Sequence, residues 1–213
     1  MTERKRIKSI KGQINIKIII VGDTATGKTS IIKRYIDNTF SENTRSTIVS
    51  EFSTKVLQIN GIQYNINFWD IPGQDRNPVA TRSFVVDCNG IIYCCDVSNI
   101  KTRENIKKWE ENIKSLEDID GVPKILIENK CDKLGDESHY NDNNNSLRKF
   151  SNERDCLNFF RTSALNGYNV KEALNYLINQ IINRIKEEDI EYYNNRKTIN
   201  SSTFSKKKYD KCC

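Results

Sequence analysis

Gly22-Asp23-Thr24-Ala25-Thr26-Gly27-Lys28-Thr29 matches the pattern GxxxxGK[ST]. A polyphosphate needs several backbone N–H groups turned towards it, and glycine lets the chain curl closely enough to present them. The flanks agree with such a loop. Residues 14–21 (INIKIIIV) are apolar and rich in β-branched side chains, as in a buried strand, and residues 28–38 read as a helix. A helix N-terminus behind the loop adds a favourable dipole for an anion. On this reading the whole loop and the adjoining Ser30 form a binding site. Lys28 reaches the β- and γ-phosphates, and Thr29 offers its hydroxyl to Mg²⁺. The competing reading is a Gly-rich turn that binds nothing.

Beyond the loop, short apolar runs alternate with longer helical patterns. Residues 51–59 and 62–69 alternate apolar and polar side chains around Asn60-Gly61, a strong hairpin signal. Residues 90–96 (GIIYCCD) and 124–128 (KILIE) read as buried parallel strands, with a helix over 102–116 between them. Residues 156–160 read as a last short strand. Residues 169–186 read as an amphipathic helix, with Val170, Leu174, Leu177, Ile178, Ile181 and Ile185 facing inward. The class is α/β: a six-stranded, mostly parallel sheet with helices on both faces. Ligands bind beyond the carboxyl ends of strands in such sheets, and each motif falls just after a strand. The Asn-rich segment 136–145 reads as a solvated loop. From about residue 187 the chain turns polar and loses periodicity, which predicts a flexible tail. The expected division is 1–13 as a basic extension, 14–186 as the folded domain and 187–213 as the tail.

A phosphate loop does not select a base. Asn129-Lys130-Cys131-Asp132, directly after the KILIE strand, can do so. The Asp132 carboxylate can accept from guanine N1–H and the exocyclic amine, while Asn129 contacts the opposite edge. Adenine presents the wrong donor pattern there. Thr162-Ser163-Ala164 follows the last strand and offers backbone amides, Ser163 and Ala164 among them, to the same base.

Together with Trp69-Asp70-Ile71-Pro72-Gly73-Gln74, a match to the WDxxGQ motif, these residues resemble the Ras superfamily of small GTPases over about 14–186. Within it the chain is most similar to the Rab branch, through GDxxxGKTS, Phe52, Trp69 and Cys212-Cys213. The WDI form and Thr81-Arg82 resemble Rabs of lysosome-related organelles and phagosomes. The resemblance implies GTP/GDP and Mg²⁺ as ligands. Phe40 stacks on the guanine, and Thr47 and Asp70 join Thr29 around Mg²⁺. Gly73 offers its amide to the γ-phosphate and Gln74 orients the attacking water, so Gln74 and Lys28 are the catalytic candidates. Phe52, Trp69 and Phe84 resemble the aromatic triad that Rabs present to effectors, with core packing as the alternative for each. Implied partners are an exchange factor, a GTPase-activating protein, an escort protein or GDP-dissociation inhibitor, and effectors, around a monomer.

The chain departs from the family pattern at three places. Ala25 stands where the loop usually has Gly. If that position needs φ > 0, its Cβ costs on the order of 1 kcal/mol. Pro72 stands where Ala is usual, fixes φ and lacks an N–H beside a peptide that must reorient. Asn77-Pro78 replaces an aromatic-Gly pair. Slow intrinsic hydrolysis is the expectation.

Composition limits the remaining classes. The net charge is +6, with clusters of basic residues at Arg4–Lys11 and Lys206–Lys211. That argues against a nucleic-acid-binding face and suits an anionic membrane surface. There are seven Cys, no CxxC and one His, so a metal-thiolate centre is not expected. No apolar run approaches ~20 residues, so no membrane span or signal peptide is expected. Five Cys read as buried thiols of a reducing compartment, whereas Cys212-Cys213 resembles a double-Cys prenylation signal. Two geranylgeranyl chains would anchor stably where one binds marginally. The expected place is the cytoplasmic face of an endomembrane, in exchange with cytosol. Two alternatives remain: an adaptor locked on GTP, and a P-loop kinase.

Overall fold

The computed structural model describes residues 9–10, 13–42, 47, 51–74, 78–135 and 145–185. The expectations for the basic residues of the N-terminal cluster Arg4–Lys11, segment 136–144, Asn77 and the tail with Cys212-Cys213 fall on residues outside these.

Among the described residues seven strands form one sheet: β1 (Ser9–Ile10), β2 (Gln13–Val21), β3 (Glu51–Ile59), β4 (Ile62–Asp70), β5 (Gly90–Asp96), β6 (Lys124–Asn129) and β7 (Asn158–Arg161). Six run in the order β3-β4-β2-β5-β6-β7, and the two-residue β1 pairs off this path with the start of β2. Among these described strands the β1–β2 and β3–β4 pairs are antiparallel and the other pairs parallel. The β3–β4 turn is Asn60-Gly61 with φ of 52° and 77°. Two consecutive positive φ values give the primed turn whose twist matches the strands it joins.

The helices are α1 (Lys28–Asp37), α2 (Pro78–Val85), α3 (Ile100–Glu104), α4 (Ile106–Leu116), α5 (Asn145–Asn152) and α6 (Val170–Arg184). Strand alternation sorts the core into two layers. Ile16, Ile18 and Ile20 of β2 pack with Ile31 and Tyr35 of α1 and Leu174, Leu177 and Ile181 of α6. Ile19 and Val21 face the other side, against Val85, Ile106, Trp109, Ile113 and Leu147. All six α6-side residues expected to face inward are buried.

Four local readings change. The single helix over 102–116 is two, interrupted at Asn105, whose side chain leaves to bond Asp23. The last strand starts at Asn158 and not at Cys156. Asp155 takes φ 50° and Cys156 N–H donates to Ser151 O, so these residues close α5. The sheet extends back to Gln13, with β1 inside the segment assigned to the N-terminal extension. Finally, α2 and α5 were not expected: α2 begins at a proline, which suits a first helical turn.

Candidate functional site

At the carboxyl ends of β2, β5 and β6 lies a pocket of about 460 Å³. Its walls include Thr24, Ala25, Gly27, Lys28, Thr29 and Ser30 from the loop, Phe40 and Thr47 from the segment after α1, Gly73, then Asn129, Lys130, Asp132 and Ala164. Segments more than 100 residues apart in sequence therefore share one cavity.

The loop is built from unusual backbone. Gly22 and Gly27 have φ of 149° and 93°. A Cβ on Gly22 would sit 2.0 Å from the carbonyl oxygen of Cys94, so β5 presses directly on the loop. Ala25 has φ 63°, so the position does require the left-handed region. Lys28 is 5 % exposed, and its Nζ donates to the carbonyls of Gly22 (2.9 Å) and Asp23 (3.0 Å). Burial pushes its ammonium below the usual lysine pKa, against the pull of Asp70 and Asp23. A desolvated cation of this kind gains most when an anion arrives.

Thr29 Oγ1 lies 2.9 Å from Thr47 Oγ1 and donates to Asp70 Oδ2. Three oxygen donors of this type, one a carboxylate, suit a hard divalent cation such as Mg²⁺. Gly73 packs backbone to backbone on the loop: a Cβ there would fall 2.2 Å from Thr24 N and 2.5 Å from Asp23 C. Thr24 Oγ1, in the same seam, is buried without a hydrogen-bond partner among the described residues. Gln74 is exposed and does not line this pocket. It borders a second cavity of about 780 Å³ beside Gly73 and Trp109.

Several predicted site residues act by supporting others. The Asp23 side chain turns away, its carboxylate accepting from Asn105 Nδ2 (2.7 Å) and Trp109 Nε1 (3.0 Å). Thr26 is fully buried and supplies its carbonyl to Asn129 Nδ2 at 2.9 Å. Asn129 itself is 1 % exposed. Its Oδ1 accepts from Thr162 Oγ1 (3.1 Å) and Ala164 N (3.2 Å), so it ties three loops together. The amide of Ser163 is not turned to a base, because it donates to Tyr168 O at 3.0 Å. Ser163 Oγ instead donates to Asp132 Oδ1 and orients that carboxylate. Lys130, at φ 65°, bonds both Ala25 O and Asp96 Oδ2 at 2.6 Å. Burial opposes the Asp96 carboxylate, but hydrogen bonds from Lys130 and Ser98 outweigh it and lower its pKa.

Asp96, Asn105 and Trp109 were not legible as site residues in the sequence, and Thr162 was legible only as a backbone donor, not for its hydroxyl. Their roles are carried by side-chain contacts across 30 to 90 residues, which leave no local signal. Arg34 was missed too, with its guanidinium on Ala164 O (2.9 Å) and Leu165 O (2.7 Å).

The Ras family sequence profile matches residues 17–183 of this chain, well over half of it. The chain belongs to the Ras family. Curated relatives carry Rab names. Ras-related protein Rab-32 of Sus scrofa is 30 % identical over 201 residues, covering 92 % of this chain and 88 % of the relative. Rab-32A of Dictyostelium discoideum is 34 % identical over 171 residues, 78 % of this chain and 77 % of its own. Human Rab-7L1 is 33 % identical over 178 residues, 82 % and 85 % respectively. The chain is thus a divergent Rab-like small GTPase of vesicle trafficking, a GTP hydrolase with the small-GTPase P-loop fold.

In this Rab-like chain the three aromatics expected to face effectors form a continuous row. Ring centroids are 5.1 Å apart for Phe52–Trp69 and 5.5 Å for Trp69–Phe84. Phe52 is 55 % exposed while Trp69 and Phe84 are half-buried, so the row is a surface with a packed base. Lys17 Nζ lies 5.2 Å from the Trp69 ring and bonds Val86 O at 2.8 Å, which ties the row to the end of α2. Among the described residues, no helix is long and apolar enough to cross a membrane and no cluster of His, Cys, Asp or Glu suits a metal.

Proposed function

We propose that this Rab-like chain alternates between GTP and GDP at the pocket between the 22–29 loop and Asn129–Asp132, and that the alternation controls its residence on a membrane. The observation that carries this is that a buried, desolvated Lys28, the Thr29 and Thr47 hydroxyls with Asp70 bonded behind them, and Asp132 oriented by Ser163 meet at one cavity lined by Lys28, Thr29, Thr47 and Asp132. Lys28 leaves the Gly22 and Asp23 carbonyls for the β- and γ-phosphates. Asp132, oriented by Ser163, accepts from guanine N1–H and the exocyclic amine. Phe40 covers the ring. Thr29, Thr47 and Asp70 would hold Mg²⁺, which when bound neutralises phosphate charge.

Gln74 swings from the neighbouring cavity to orient water towards the γ-phosphorus. The new P–O bond forms as the bond to the β-phosphate oxygen breaks, and Lys28 stabilises the charge left on that oxygen. Gly73 supplies an N–H to the γ-phosphate, and the unpartnered Thr24 hydroxyl beside it is a second donor. Pro72, buried and without an N–H, stiffens the peptide that Gly73 must turn, so intrinsic hydrolysis is slow. Single-turnover GTP hydrolysis tests this: Pro72→Ala should raise the rate several-fold. A wild-type rate that the substitution leaves unchanged removes Pro72 from the account. Preference for ATP over GTP in a competition assay would refute the guanine site itself.

An adaptor that stays on GTP is the second reading, favoured by Pro72 together with the strained Ala25; multiple-turnover phosphate release separates the two. Anchoring rests on Cys212-Cys213 as geranylgeranyl acceptors, assisted by Lys206–Lys208 and Lys211 on anionic lipid. Exchange factor, activating protein, escort or dissociation inhibitor, and effectors would then act on the cytoplasmic face of an endomembrane. Replacing both Cys with Ser should leave the protein in the cytosolic fraction. Membrane association that survives the replacement would refute the anchor.

A further inference from the structure

Behind the two base-side loops, a buried carboxylate lies between two guanidinium groups. Glu128 is the last residue before Asn129, and Arg161 is the last before Thr162. Each therefore stands where a base-side loop leaves its strand, and the two are register partners across β6 and β7. Arg161 Nε donates to Glu128 Oε2 at 2.9 Å, and Arg103 Nη1, from α3, lies 3.4 Å from Oε1. The side chains are 5 % exposed for Glu128, 9 % for Arg161 and 16 % for Arg103.

A buried Arg–Glu–Arg group is a poor source of net stability, because desolvation offsets the attraction. Such groups are better attested where they specify a register. Here register needs specifying. β7 has four residues, Asn158 is exposed, and Phe159, Phe160 and Arg161 are only half-buried. Phe159 packs on one core layer and Phe160 on the other, so a one-residue slip exchanges one phenyl ring for the other and the apolar pattern sets the register only weakly. A slip of one residue would move the 162–164 loop against Asn129 and Asp132. It would break Thr162 N–H to Glu128 O and Cys131 N–H to Thr162 O, both 3.0 Å, along with the Ser163–Asp132 bond.

We propose that Glu128, held by Arg161 and Arg103, positions the guanine site by fixing β7 on β6 in the one register that sets Asp132 opposite Ser163. The three are positioning residues: none lines the pocket. The inference rests on the guanine-nucleotide reading above and names what fixes the geometry of that site.

The test measures release of fluorescent GDP and relative affinity for GDP over IDP, which lacks the exocyclic amine that Asp132 reads. Glu128→Gln keeps the shape and removes the charge. Release should quicken about tenfold, equal to ~1.4 kcal/mol, and the GDP/IDP ratio should fall towards one. The triple variant Glu128→Leu, Arg103→Met, Arg161→Met replaces the group with apolar side chains, which preserves folding stability. It should still release GDP fast and discriminate poorly, and it carries the test if Glu128→Gln does not fold. Wild-type release and discrimination in either folded variant overturn the proposal. So does a triple variant whose release returns to wild type as its stability does, since that is the behaviour of a merely structural group. Failure of the wild-type protein to bind GDP would instead overturn the guanine reading, and this inference with it.

Discussion

Replacing Asn129 with Ala should weaken the folded protein itself, even with no nucleotide bound. The side chain is 1 % exposed and makes three hydrogen bonds, one to Thr26 O and two from Thr162 Oγ1 and Ala164 N. A typical bond contributes about 1 kcal/mol net. Truncation also strands the Thr162 hydroxyl and the Ala164 amide in residues that are 0 % and 3 % exposed. Each buried group left unsatisfied costs about 1–3 kcal/mol. The total loss is therefore about 3–5 kcal/mol, a large part of the roughly 5–15 kcal/mol that holds a domain together. With a urea slope of about 2–3 kcal/mol per molar, the unfolding midpoint should fall by about 1–2.5 M. The assay is urea unfolding of wild type and variant after EDTA treatment and phosphatase have removed the nucleotide. If Asn129 served only to touch the base, the nucleotide-free midpoints would coincide and only GDP affinity would fall. Coincident midpoints would refute the bracing argument.

The remaining predictions concern the loop and the thiols. Ala25→Gly relieves a left-handed Cβ at φ 63°, worth about 1–2 kcal/mol, and adds unfolded-state freedom worth about 0.4–1 kcal/mol. The net gain of about 0.5–1 kcal/mol should raise Tm by about 1–4 °C by calorimetry; a lower Tm would refute the strain. Burial pushes the thiols of Cys94 and Cys131 up to about 11 and that of Cys156 to about 12, and it raises Cys95 as well. A raised pKa keeps a thiol neutral, and so unreactive, at pH 8.5. Iodoacetamide on the native, unlipidated protein should therefore label Cys212 and Cys213 and spare the five buried cysteines, as read by mass spectrometry. Labelling of a core cysteine before unfolding would count against the packing.

Much of the architecture was open to reading because it depends on local patterns. The β-branched runs, the Asn60-Gly61 turn and the 22–29 loop each carry their instruction within ten residues, whereas the order of the strands in the sheet came only from the structure. Some of the readings that changed depended on distant partners. Nothing near Asn105 announces that its amide will leave the helix for Asp23, 82 residues away. Nothing within residues 162–164 says that Ser163 will give its hydroxyl to Asp132 and its amide to Tyr168.

The 22–29 loop shows the same division. Its pattern alone determined a tight turn of the P-loop type between a buried strand and a helix, because glycine spacing and a following helix suffice for that. The sequence could state only conditionally that Ala25 would cost energy; the value of φ, set by the closure of the loop over Lys28, decided it. Asn129, Asp132 and Ser163 were likewise legible as candidates for a base. Which of them faces the pocket and which braces the wall depended on hydrogen bonds formed only when the sheet brings the carboxyl ends of β2, β6 and β7 to one edge. A backbone pattern is written in consecutive residues, whereas the satisfaction of a buried polar group is decided by whatever the fold brings within 3 Å of it.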